Sequence, residues 1–147
     1  MAAMLGGHGF VTNGPLLDLH MDSSGPGDQV RLGAPSSVHI HAVMKSIAPI
    51  DHLQLVYNGN VVEEIPLEGD RRRAVFNKDL RVQDSGWFTL QAFANSHEPP
   101  VDDNFPMATT NPVYRRVANR PVRNKESAEY FIRWIDKLTT MALQQPG

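Results

Sequence analysis

The amino-acid sequence predicts a mainly β fold: an immunoglobulin-like antiparallel β-sandwich followed by one C-terminal amphipathic α-helix. Three observations carry that prediction. Short runs with a period of two recur between Phe10 and Val117, as half-buried strands require. Clusters of Gly, Pro, Asn and Asp separate these runs at the spacing of an all-β domain. The period changes to steps of three and four only after about Lys125, which is the signature of a helix with one apolar stripe.

The apolar run from Phe10 to Met21 is broken by Asn13-Gly14-Pro15, so it reads as two short strands around a tight corner. Turn clusters at Ser23–Asp28 and Gly33–Ser37 leave Val30-Arg31-Leu32 as a small strand between them. Over residues 38–46, Val38, Ile40, Ala42 and Met44 point one way and His39, His41, Val43 and Lys45 the other. Leu53, Leu55 and Tyr57 then alternate with Gln54 and Val56, and Asn58-Gly59 before Val61-Val62 is a strong hairpin signal.

Arg73 to Val82 reads as a strand with Ala74, Phe76, Leu80 and Val82 toward the core. Asp84-Ser85-Gly86 turns the chain into a central strand, Trp87 to Ala94, whose faces carry Phe88, Leu90, Ala92 and Ala94 on one side and Trp87, Thr89, Gln91 and Phe93 on the other. Residues 95–110 read as one long polar connection, a length commonly reserved for functional or mobile segments. A further strand is expected over Pro112 to Val117. The sequence thus predicts seven or so strands.

The helix is expected over about residues 125–143, with Ala128, Phe131, Ile132, Ile135, Leu138 and Ala142 along one stripe. Asn124 is a suitable N-cap, Glu126 and Glu129 sit near the positive end of the dipole, and Glu129 and Arg133 have the spacing of an ion pair. Docking of the stripe on one sheet is the expected arrangement. The other reading makes it, with Tyr130 and Trp134 at its flanks, a surface for a partner.

Composition narrows the function. A chain of 147 residues fits one domain that buries about two thirds of its unfolded surface. Residues 10–147 form that domain, and residues 1–9 read as a flexible N-terminal segment or a domain junction. The absence of cysteine excludes disulfides, thiolate metal sites and cysteine nucleophiles. A formal charge of -2 opposes general nucleic-acid binding. The first Lys or Arg is Arg31, so no signal-peptide n-region is present, and no apolar run approaches the roughly 18 residues of a membrane span. The chain is expected to be soluble, without membrane insertion, and the sequence assigns no compartment.

The chemistry-bearing residues are few. His39 and His41 lie two apart on one strand face and form a weak metal-ligand pattern, since no acidic partner lies nearby in sequence; solvent-facing strand residues are the expected reading. In the connection, Asn95, His97, Glu98, Asp102, Asp103 and Asn104 offer polar atoms to a ligand, yet lack the fixed spacing of a calcium loop. No nucleophile elbow and no phosphate-cradling glycine series occurs. Arg71, Arg72, Arg73, Arg115, Arg116, Arg120 and Arg123 could form an anion patch, though such residues more often solvate a sheet or guard its edges. No catalytic residue, cofactor site or metal site is assigned to the chain itself.

Four segments together carry a family likeness: Phe10 to Leu19 (FVTNGPLLDL), Gly25-Pro26-Gly27-Asp28, Thr110 to Tyr114 (TNPVY) and Ala128 to Leu138 (AEYFIRWIDKL). In that order they resemble the region following the catalytic barrel in bacterial metallohydrolases of the PHP superfamily, in the carbaryl-hydrolase-like branch. The resemblance implies that divalent metal is bound by the preceding barrel, and it carries no catalytic residue onto this chain. It implies a non-catalytic accessory domain that supports interdomain or subunit contact, with the N-terminal catalytic domain of the same protein or another subunit as partner. The alternative expectation is a free-standing ligand-binding sandwich that uses the loop 95–110.

Overall fold

The computed structural model describes residues 5–96 and 105–144. Among them are ten strands and one long helix: β1 (Phe10–Thr12), β2 (Leu16–Met21), β3 (Gln29–Leu32), β4 (Ser36–Lys45), β5 (His52–Tyr57), β6 (Asn60–Glu64), β7 (Arg73–Val82), β8 (Gly86–Phe93), β9 (Met107–Thr110), β10 (Val113–Val117) and α1 (Lys125–Gln144). They build two sheets and one C-terminal helix, as expected. One sheet is β2-β4-β7; the other places β5 and β6 on one side of β8 and β9, β10, β1 and β3 on its other side. In immunoglobulin lettering, β2, β4 and β7 stand at A, B and E, while β5, β8 and the β9–β10 line stand at C, F and G.

The inward faces follow the period of two read from the sequence. Leu17, Leu19 and Met21 of β2, Val38, Ile40, Ala42 and Met44 of β4, Leu53 and Leu55 of β5, and Phe88, Leu90 and Ala92 of β8 meet in one buried cluster. Ala74, Phe76 and Leu80 of β7 pack against its rim, and Val82 lies inside it. At Asn58-Gly59 both residues take positive φ, 50° and 87°, the conformation a tight two-residue hairpin demands and these residue types tolerate. A register shift between Leu55 and Val56 adds a bulge to that hairpin.

Pairing departs from the antiparallel expectation at one place, where β10 runs parallel to β3, with Tyr114 opposite Gln29 and Val117 opposite Leu32.

The expectation of a continuous loop from residue 95 to residue 110 is corrected: Met107–Thr110 is β9, paired with β8 and β1. Pro106 and Asn111-Pro112 hid it by flanking a short run with turn-like residues. Along β8 the partner register moves by one between Gln91↔Thr109 and Phe88↔Val113. Pro112 has no amide to give the ladder, and the Thr110 hydroxyl accepts the buried Leu90 N–H at 3.0 Å, which satisfies a donor that would otherwise be stranded.

Candidate interaction surface

The helix is where the structure departs furthest from the expected docking. It starts as the sequence predicts: Asn124 Oδ1 accepts the Ser127 N–H at 2.9 Å. Glu129 makes its ion pair one turn earlier than expected, with Lys125 at 3.5 Å. None of the residues of α1 is buried. Phe131, Ile135 and Leu138 are 63%, 61% and 53% exposed, although they form the centre of the stripe. The buried cluster is built from side chains of the strands and loops, and the helix contributes none.

Tyr130 and Trp134 lie on this helix with ring centroids 6.5 Å apart. Tyr130 also meets Phe131 edge to face, and the Lys137 ammonium lies 5.9 Å from the Trp134 ring centroid. These contacts are all within the helix. The stripe and its aromatic flank therefore form one exposed apolar surface.

The root of the helix is joined to the sandwich by polar contacts. A cleft of about 540 Å³ opens there between Tyr57, Asn58, Asp84, Ser85, Arg120 and Arg123. Tyr57 donates to the Asp84 carbonyl at 2.8 Å, Ser85 donates to the Arg120 carbonyl at 2.6 Å, and Arg120 lies 3.4 Å from the Asp84 carboxylate. Burial, then the nearby Asp84 charge, pushes the Tyr57 hydroxyl above its ordinary pKa. Most of the cleft's polar groups are thus used to hold one turn to another, which makes it a joint at the base of the helix.

The remaining sequence-derived residues are dispersed. His39 and His41 are on the outer face of β4, as expected, and each Nδ1 is held by the neighbouring strand: His39 by Asp79 Oδ1 at 2.8 Å and His41 by Asn77 Oδ1 at 2.7 Å. His20 lies opposite His41 in the ladder, with its own contact to Asp18 at 3.2 Å. Even with these neighbours, no group of three or more ligating side chains suited to a metal occurs among the described residues. Asp79 and Asn77 lie far from the histidines in sequence, so only the β4–β7 register reveals them.

Asn95 serves the fold: its N–H donates to Asp51 Oδ2 at 2.7 Å and its side-chain amide reaches His52 Nε2 at 3.2 Å. His97, Glu98, Asp102, Asp103 and Asn104 lie outside the described residues.

The arginines do not assemble into one anion patch. Arg71 is paired with Asp51, and Arg120 and Arg123 share the cleft at the helix root. Arg115 is 1% exposed, because β10 turns Val113, Arg115 and Val117 inward. It donates to the Met21 carbonyl at 2.5 Å and lies 3.7 Å from Asp22 Oδ2, while its Nε has no hydrogen-bond partner among the described residues. Burial lowers its pKa, opposed by the charges of Asp22 and Asp28. No helix among the described residues is long and apolar enough to cross a membrane.

Comparison of the chain with protein-family models, with curated proteins and with solved structures found no match.

Proposed function

We propose that this chain is a non-catalytic accessory module, a sandwich that presents an amphipathic helix to a neighbouring domain or subunit. The observation that carries the proposal is the fully exposed stripe of α1 beside a sandwich core that is complete without it. Contiguous apolar surface of this kind marks interaction sites. The N-cap and the joint at Asn58, Asp84 and Arg120 give the helix a defined origin.

The PHP-type likeness supplies the setting: an accessory domain of a metal-dependent hydrolase, with the divalent metal held by a preceding barrel.

Sequencing the source genome immediately upstream of the Met1 codon tests the setting. An in-frame barrel with His-x-His and acidic ligands is expected. A stop codon there, with no barrel subunit that binds this chain, would remove the hydrolase from the account. Metal-dependent ester or amide hydrolysis by the purified chain alone would contradict its non-catalytic role.

A further inference from the structure

We infer that the occupant of the α1 stripe is the same helix of a second copy of this chain, packed antiparallel to form a two-fold dimer. The inference rests on reading the helix as a contact surface and goes further by naming its partner. Ala128, Phe131, Ile135, Leu138 and Ala142 follow an unbroken three-four spacing, the seam of a helix that packs against another helix. The positions bordering that seam, Ser127, Ile132, Trp134, Thr139 and Met141, carry no charge. Glu126, Glu129, Arg133, Asp136 and Lys137 all fall on the opposite side, so two copies can meet without desolvating an ion.

The seam is also complementary to itself when reversed. An antiparallel pair centred near Arg133 sets Ala128 against Leu138 of the other copy, a small residue facing a large one, and Phe131 against Ile135, a layer of two large residues. Ile132 meets its own counterpart on one side of the axis and Trp134 on the other. The half of the helix containing Lys125, Glu126 and Glu129 has an excess anion, and the half containing Arg133, Asp136 and Lys137 an excess cation. Reversal opposes the two helix dipoles, whereas parallel pairing would align them.

The area is sufficient. Phe131, Ile132, Trp134, Ile135, Leu138 and Met141 are each between 45% and 63% exposed. With an aromatic side chain presenting roughly 200 Å² and the aliphatic ones less, full burial would give at most about 650 Å² per copy. Pairing two such faces reaches about 1,300 Å², within the range of specific interfaces. The helix carries three cations and three anions, so it lacks the basic polar face that draws an amphipathic helix to an anionic membrane.

Sedimentation equilibrium of the full chain from about 1 to 500 µM, a span chosen to cover the weak end of affinities for interfaces of this size, should show a two-chain species. Ile135→Asp with Leu138→Asp should return it to a monomer while the thermal transition of the sandwich persists. Because the chain has no cysteine, single substitutions report the orientation. Ile132→Cys should form a disulfide-linked dimer on oxidation, whereas Ala128→Cys should cross-link to Leu138→Cys in a mixture and not to itself. Self-linking of Ala128→Cys would overturn the antiparallel arrangement. A monomer throughout, with helical circular dichroism intact, would overturn self-pairing alone and leave a different partner for the helix. A higher oligomer, or a dimer indifferent to the double substitution, would also overturn it. Loss of the helical signal in a monomer would count against the contact surface as well.

Discussion

Asn124 links the helix to the sandwich through two atoms of one side chain: Oδ1 caps the Ser127 N–H at 2.9 Å, and Nδ2 donates to the Asn58 carbonyl at 3.5 Å. The two functions separate by substitution. Asn124→Ala should cost the helix about 1 kcal/mol and lower its circular dichroism signal. Asn124→Asp should retain the cap, with the added charge favoured at the helix N-terminus, and lose only the donation to Asn58. Amide exchange in the first turn should therefore quicken in the first variant and stay slow in the second.

Gly86 owes its identity to space. A Cβ there would lie 2.2 Å from Tyr57 Cε2 and 2.7 Å from the Asn58 side chain, on a hairpin whose Asn58 Oδ1 also accepts the Trp87 N–H at 3.0 Å. Gly86→Ala should destabilise the sandwich by about 1–3 kcal/mol, measured as a lower midpoint in urea. An unchanged midpoint would mean that the Tyr57 ring moves aside freely.

Burial of Arg115 costs stability that its partners return only in part, since Nε is unpartnered and the Asp22 carboxylate is half exposed. Arg115→Met removes the buried cation and leaves Asp22, half exposed, to solvent, so stability should hold level or rise. Asp22→Asn keeps a residue that accepts the observed positive φ of 55° but takes the nearby countercharge from a buried guanidinium, so it should lower stability. Equilibrium unfolding of both variants checks the pair; strong destabilisation by Arg115→Met would show that its hydrogen bond to Met21 dominates.

Tyr57 sets an alkaline limit. Its folded pKa lies above the ordinary 10.0, through burial and then the Asp84 charge. A raised pKa means that its contribution to stability is whole below the unfolded value and is lost as pH rises through the folded one. Stability should therefore fall above pH 10 in the native protein, and Tyr57→Phe should fall less over the same interval. Urea midpoints across that range, with the difference in phenolate absorbance between the native protein and Tyr57→Phe followed in parallel, provide the measurement.

The strands were legible wherever one face alone meets the core. Ile40, Ala42 and Met44 alternate with His41 and Val43 because β4 is covered on one side only, and Asn58-Gly59 announces its own turn. Strand β9 was not legible, because its four residues are flanked by prolines and are held by partners distant in sequence, Phe93 and Phe10 among them. Arg115 looked like a surface cation because its type is nearly always solvated, although the period of two sets it on the same face as Val113 and Val117, the face that turns inward. For the helix, the stripe was evident and its partner was not. Periodicity states which face is apolar, and only the structure shows that none of its residues is buried against the chain's own sheets. The contacts of His39 with Asp79 and His41 with Asn77 likewise needed the ladder.

The central claim is that the sandwich is complete without the helix, whose exposed stripe serves a contact with another surface. Thermal unfolding of a chain ending at Arg123, compared with the full chain at a concentration where it is monomeric, tests this most directly. The account predicts loss of the helical dichroism and a sandwich melting within about 3 °C of the full chain, equivalent to less than about 1 kcal/mol. A fall of roughly 10 °C or more, several kcal/mol by the same scaling, would contradict it and make α1 part of the folded core.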